Sequence, residues 1–351
     1  MVLKTTTIGA FPKPDYVPVS DWFQLADGMT TAAVTERYAN EMAAAGEGAE
    51  ALFVRATGEA IGDQIACGID VPTDGEMRRE NYVHYHCRHM RGFDFENLTN
   101  RTLRDGAYDT ELPTIRSKIA PGDSHFLNHD YRVAASSSTR PVKITLPGPL
   151  TIADTTADEF YQDPVTLGAD LADALNHEVR ALVDAGCRYI QIDEPLFARK
   201  TSEALSYGID HLERCFAGVP EAVTRVVHIC CGYPNHLDQT DYKKADPQSY
   251  FDLAAAINQA AVDQVSIEDA HRHNDLALLE TYDRTTVILG VVAVARSQLE
   301  TVDEIRARVE AALAHIDGDR LWLAPDCGLG FLSRDLAMAK LQVLTDAAAT
   351  F

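Results

Sequence analysis

ADLADALNHEVRALVDAG runs directly into CRYIQIDEP, and this stretch (169–195) decides the fold. In its first part the apolar residues recur at helical spacing, and Gly186 supplies a C-terminal stop. The second part is a short β-branched run closed by Asp193, Glu194 and Pro195. A helix delivering the chain into such a strand is one half of a βαβ unit, which requires a parallel sheet.

The same unit recurs outward in both directions. Strand-like runs occur at 5–11, 68–76, 141–149, 187–195, 224–232, 263–270, 286–295 and 321–328, with helical stretches such as 250–260 and 302–316 between them. Eight such units predict a TIM (β/α)8 barrel, with one catalytic domain spanning 1–351. The region 77–140 breaks the rhythm and reads as an insertion, with a hairpin extension at SSSTR (136–140). A doubly wound open sheet is the competing architecture, but no glycine-rich phosphate loop follows the first strand.

Composition narrows the function. The 31 Lys+Arg against 53 Asp+Glu give a net charge of −22, which excludes a basic face for nucleic acid or anionic membrane. No run of 18 apolar residues is present, so no membrane span is expected. The N-terminus MVLKTTTIGAFPKP lacks the basic and apolar regions of a signal peptide. Seven scattered Cys fit a reducing compartment, and the expected location is the cytoplasm.

In a TIM barrel the chemistry lies at the C-terminal ends of the strands. Glu76, Asp193, Glu194, His228, Cys230, Glu268, Asp269 and Cys327 all fall there. Residues i and i+2 of a strand share a face, so His228 and Cys230 point together and Cys231 points away. Adding Glu268 and Cys327 gives one nitrogen, two sulfurs and one carboxylate, a donor set suited to Zn2+. A zinc held by two thiolates is electron-rich and better suited to binding another sulfur than to making hydroxide. A free thiol is only a few per cent ionised at pH 7, and coordination removes its proton. Glu268 is the most readily displaced ligand of the four. The expected class is alkyl or methyl transfer to a thiol.

The motifs TTTIGAFPKP, DGEMRREN, LPGPLTI, QIDEP, HIC, SIED and PDCGLG together resemble the C-terminal catalytic barrel of the cobalamin-independent methionine synthase family, of the methionine synthase/uroporphyrinogen decarboxylase-like superfamily. The resemblance covers nearly the whole chain. It implies a methyltransferase of methionine biosynthesis, with His228, Cys230, Glu268 and Cys327 as the zinc ligands and homocysteine as the thiol. By the same resemblance Glu76 and Asp193 hold the substrate ammonium, Asp193 also serves a proton relay, and the Ile8–Gly9–Ala10 turn cradles the carboxylate. A buried ammonium independently calls for paired acids.

Four departures from the family pattern concern mainly the methyl donor. Ala10 replaces a serine. Ala153-Asp154-Thr155 follows GPLTI where the family has a Trp that packs on folate. Gly290-Val291-Val292-Ala293-Val294-Ala295-Arg296 lacks the acid and the His of the family's proton-donor segment. The additional N-terminal barrel of the full-length enzymes has no counterpart here. The donor is therefore expected to be methylfolate or a methyl-corrinoid protein. The alternatives are an epoxyalkane:coenzyme M transferase type of thiol alkylation, with Arg296, Arg78 or Arg79 meeting a sulfonate, or a demethylase using another donor. A structural zinc domain is the non-catalytic alternative. His84, His86 and His89 read as a surface or lid cluster. His271 and His273 are candidates to replace the missing proton donor, and Tyr82 and Tyr85 to line the mouth.

Overall fold

The computed structural model describes residues 2–24, 31–103, 108–232, 234 and 236–351. Seven parallel strands form one sheet in the spatial order Lys4–Thr5, Leu321–Pro325, Thr286–Val292, Gln264–Ile267, Thr224–Ile229, Tyr189–Asp193 and Lys143–Pro147. Two parallel bridges, Thr6 to Val71 and Thr73 to Lys143, place residues 71–73 between the first and last of these. The sheet therefore closes through an eighth segment, and all eight expected strand positions are occupied.

The 169–195 stretch shows how sequence produces the unit. The helix Pro164–Asp184 starts on Asp163, whose carboxylate accepts the Val165 and Thr166 N–H groups. It ends in a Schellman arrangement: Gly186 N–H donates to Val183 O at 2.9 Å and Cys187 N–H to Leu182 O at 2.9 Å. Gly186 has φ +97°, a conformation only glycine adopts cheaply. The turn aims the chain straight into Tyr189–Asp193.

Side chains alternate across each strand. Ile8, Val71, Val226, Ile288, Trp322 and Ala324 pack together as a cluster of their own, separate from the large apolar shell between sheet and helices. That small cluster fills the barrel interior. Buried polar residues of the same parity (Thr145, Gln191, Asp193, His228, Ser266 and Glu268) continue the interior surface toward the C-terminal rim.

The insertion lies where irregularity predicted it, but its hairpin does not. Met90–Leu103 and Tyr108–Pro121 pair antiparallel, and Ala157–Asp158 adds a third short strand. SSSTR instead closes the helix Leu127–Ser136. Ser138 Oγ donates to Arg140 O at 2.7 Å, and the Arg140 guanidinium donates to Gly68 O at 2.6 Å. A serine run followed by Arg serves this helix stop as readily as a hairpin turn.

Candidate active site

His228, Cys230 and Cys327 come together at the C-terminal rim, with their ligand atoms within 4.8 Å of one another. His228 Nε2 lies 2.9 Å from Cys327 Sγ, and Nδ1 lies 3.0 Å from Ser266 Oγ. The Ser266 contact fixes the ring and turns Nε2 toward the sulfurs, as an outer partner of a metal-bound His does. Burial pushes the Cys230 thiol up, but His228 and then Arg199 outweigh it and hold the thiol below its ordinary value. Cys231 points away and packs in the outer apolar shell, as strand parity requires. One imidazole and two thiols converging in a buried rim fit a zinc ion.

Glu268 is beside this group but outside it. Its Oε1 contacts Lys244 Nζ and its Oε2 accepts Cys231 N–H at 3.1 Å. Burial pushes the Glu268 carboxyl up. Tyr250 ties the two strand ends together: its hydroxyl donates to Ile229 O at 2.8 Å and accepts Glu268 N–H at 3.2 Å.

The acid pair adjoins the donor group, because Asp193 is the register partner of His228 on the neighbouring strand. Glu76, at φ +58°, is buried; Thr145 Oγ1 donates to its Oε1 at 2.8 Å, and Arg79 Nη1 donates to the same oxygen at 3.2 Å. Burial raises its pKa, and Arg79 opposes that. A Cβ on Gly9 would stand 2.7 Å from Glu76 Oε1, so the absence of a side chain at Gly9 lets the Ile8–Gly9–Ala10 turn lie against this carboxylate. Asp193 Oδ1 accepts from Gln191 Nε2 at 2.7 Å, and the same amide donates to Ile8 O at 2.7 Å. Burial, with Glu76 nearby, lifts Asp193 to about 7 against the pull of His228. Ala10 O accepts Leu329 N–H at 2.7 Å, which joins the turn to the loop carrying Cys327. Tyr82 lies near enough to Asp193, Cys230 and Glu76 to feel their charges, after burial the main reason its hydroxyl holds its proton.

Several expected candidates are elsewhere. Glu194 is a cap: it accepts Leu150 N–H, Thr151 N–H and Thr151 Oγ1–H at 3.0, 3.0 and 2.7 Å, fastening the helix Pro149–Asp154. Asp269 is bidentate with Arg308 at 2.6 and 2.7 Å. His84 and His86 are buried rather than surface, because the helix Tyr82–Arg88 packs under the insertion; His84 Nδ1 lies 2.7 Å from Thr35 Oγ1. Tyr85 is buried and donates to Asp130 at 3.0 Å.

His271 is fully engaged. Its Nε2 accepts Ala295 N–H at 3.2 Å, so the 2.7 Å contact of Nδ1 with Asp326 Oδ2 is a donation, and neither nitrogen is free to pass a proton. His273 and Arg296 line a cavity with Val291 and Ile305, between the Thr286–Val292 strand and the helix Val302–Ala312, whose walls include none of the three clustered donors. Arg78 pairs with Glu50 at 2.7 Å and Asp130 at 3.2 Å. Ala293, Val294 and Ala295 are buried and apolar where the resembled family carries its proton donor. Asp154, after the GPLTI segment, is paired with Lys200 at 2.5 Å.

A second group of possible donors, His125, His177 and Glu178, lies apart, but Glu178 already accepts the Phe126 and Leu127 N–H groups. Sequence reading passed over Gln191, Ser266, Thr145, Lys143 and Lys244. The first three follow the parity rule, two residues before Asp193, two before Glu268, and on the face of Lys143–Pro147 turned to Glu76. Lys244 carried no such signal.

Seven parallel strands and one bridging segment, with a thiol-rich cluster at the C-terminal rim, place the chain in the class of α/β TIM-barrel proteins. The chain belongs within that class to the family described as "Cobalamin-independent synthase, Catalytic domain", whose profile matches residues 3–350. It is 32% identical over 343 residues to a methionine synthase of Saccharolobus solfataricus, covering 97% of this chain and 92% of the relative. It is 29% identical over 342 residues to a methionine synthase of Sulfolobus acidocaldarius, covering 97% and 89%. Its fold matches a B12-independent methionine synthase from a Shewanella species, solved in complex with selenomethionine, with TM-score 0.85, 28% identity and coverage of 100% and 98%. The protein is thus an enzyme of the methionine synthase family, a methyltransferase. No helix among the described residues is long and apolar enough to cross a membrane.

Proposed function

We propose that this enzyme transfers a methyl group to the thiol of homocysteine, using zinc held by His228, Cys230 and Cys327, with Glu268 as an exchangeable fourth ligand. The observation that carries the reading is the convergence of one imidazole and two thiols within 4.8 Å, with His228 oriented by Ser266. Zinc, when bound, supplies the acidity that turns a thiol into a thiolate at neutral pH.

The residues around it provide the rest. Glu76 and Asp193 hold the substrate ammonium, and burial of both acids makes that pairing strong only while the cation is present. The Ile8–Gly9–Ala10 turn meets the carboxylate. Arg79 lies between Glu76 and Asp74, 3.2 and 3.6 Å away, so its charge is neutralised and does not favour a sulfonate thiol. The Shewanella relative's complex with selenomethionine, the selenium analogue of the product, supports an amino-acid thiol.

For the donor, the buried apolar 293–295 segment and the paired Asp154 favour a leaving group that departs without protonation. Attack of the thiolate on the methyl of a methyl-corrinoid forms the S–C bond and leaves the electron pair of the broken Co–C bond on cobalt. A methylfolate nitrogen would need a proton to leave. The test is an assay of the zinc-loaded enzyme with homocysteine and either methylcobalamin or methyltetrahydrofolate. Methionine formed from the first alone is expected. Methionine from methyltetrahydrofolate alone would overturn the donor assignment, and none from either, with no homocysteine binding, would overturn the thiol assignment.

A further inference from the structure

We infer that Lys244 is a positioning residue that takes Glu268 off the metal when the substrate sulfur arrives. This rests on the zinc reading above. Glu268 directly follows the strand next to the one carrying His228, yet its carboxylate is outside the three-donor group and both of its oxygens have partners. Oε1 is on Lys244 Nζ, and Oε2 is on Cys231 N–H at 3.1 Å. The ion pair is largely shielded, with the Lys244 side chain 12% and the Glu268 side chain 4% exposed.

Lys244 does not hang loose on its loop. The next residue is anchored twice, by Ala245 N–H to Cys231 O at 2.9 Å and by Arg272 Nη1 to Ala245 O at 2.8 Å. The ammonium also lies 5.4 Å from the Tyr242 ring. The loop thus presents a fixed cation beside a candidate metal ligand.

Charge explains the use of that cation. Two thiolates and one carboxylate around a divalent ion leave one net negative charge. Adding a substrate thiolate would make two in a buried rim, at high cost. If Glu268 moves to Lys244 as the sulfur enters, the metal keeps one net negative charge and the carboxylate is neutralised by the ammonium. In that exchange one metal–oxygen bond to Glu268 would be replaced by one metal–sulfur bond, and the thiol proton would pass to solvent. Lysine suits this role, being a compact charge that a single carboxylate oxygen can meet.

The test compares full-length wild type with Lys244→Met and Lys244→Arg. Zinc affinity is measured by chelator competition without substrate, and homocysteine affinity by calorimetry on the zinc-loaded protein. Lys244→Met is expected to bind zinc at least tenfold tighter and homocysteine at least tenfold weaker, and Lys244→Arg to restore much of both. In a Glu268→Gln background the Lys244→Met change should shift homocysteine affinity less than twofold. The inference is overturned if Lys244→Met leaves both affinities within twofold of wild type, if it weakens zinc binding, or if its effect persists in the Glu268→Gln background. A wild-type protein that binds no zinc overturns the underlying reading as well, and is told apart by that first measurement.

Discussion

His228 Nε2 and Cys327 Sγ lie 2.9 Å apart although 99 residues separate them in the chain. Their strands are not neighbours: Gln264–Ile267 and Thr286–Val292 stand between them in the sheet. Only the curl of the barrel and the loop after Pro325 bring the two together. The three-donor group therefore depends on barrel closure, and each donor is expected to contribute separately. Binding energies of roughly 10–16 kcal/mol over four ligands give about 3 kcal/mol each, about a hundredfold in affinity. Cys327→Ser and Cys230→Ser should each weaken zinc by about that factor, measured by chelator competition, and Ser266→Ala by about tenfold through loss of ring orientation.

Gly290 leaves room for Asp326 to organise the rim. A Cβ there would stand 2.3 Å from Asp326 Oδ1. That oxygen accepts Asp269 and Ala270 N–H at 2.8 Å each, and Oδ2 accepts His271 N–H at 2.7 Å, so Asp326 shapes the loop leaving Glu268. Gly290→Ala is expected to cost about 1–3 kcal/mol in urea unfolding, as overpacking does, and to weaken zinc binding as well. Unchanged stability would show that the rim yields without strain.

Lys143 sits in the barrel interior with no hydrogen-bond partner at Nζ, and burial lowers it to about 7. Its folded pKa is below the unfolded value near 10.4, so the unfolded chain binds more protons between those limits and stability falls as pH drops from about 10 to 7. Lys143→Met should therefore be more stable than wild type at pH 7, by up to about 4 kcal/mol, with the gain vanishing by pH 10. Paired urea titrations at the two pH values check this. An equal difference at both would contradict it.

His84 gives the same sign in a lower pH window. Burial lowers it to about 4, from an ordinary value of 6.5. The stability it contributes is complete above about 6.5 and is lost as pH falls through 4, amounting to about 3 kcal/mol. His84→Gln should lose less stability than wild type between pH 7 and pH 4, measured by denaturant unfolding at each.

The barrel was legible because its signal is local. Each strand is a short β-branched run, and each preceding helix has its own stop, as Gly186 shows in full. The gathering of His228, Cys230 and Cys327 followed from parity and strand ends, since the fold puts every strand end on one rim. Pairings set by tertiary packing were not legible. Nothing in the spacing of DYKKADP tells that Lys244 reaches Glu268, and His84 and His86 look exposed until the insertion covers them. Glu194 carries the same strand-end signature as Asp193, yet capping Pro149–Asp154 engages both of its oxygens; parity alone separates them.

The acid pair makes its own prediction. Glu76→Gln and Asp193→Asn should each weaken homocysteine binding at least tenfold, because an ammonium left beside a neutral amide loses a charge-assisted partner worth about 1.5–3 kcal/mol. Zinc affinity should stay within about threefold, since neither side chain belongs to the clustered donors. Calorimetry with homocysteine and with a deaminated thiol of the same length separates the two effects: the deaminated thiol should not distinguish the variants from wild type.

The most direct test of a thiol-activating metal centre is X-ray absorption at the zinc edge, with and without homocysteine. Two sulfur neighbours are expected in the substrate-free protein, from Cys230 and Cys327, rising to three when homocysteine binds, with loss of the oxygen neighbour. A sulfur count that stays at two while homocysteine is bound would contradict the account.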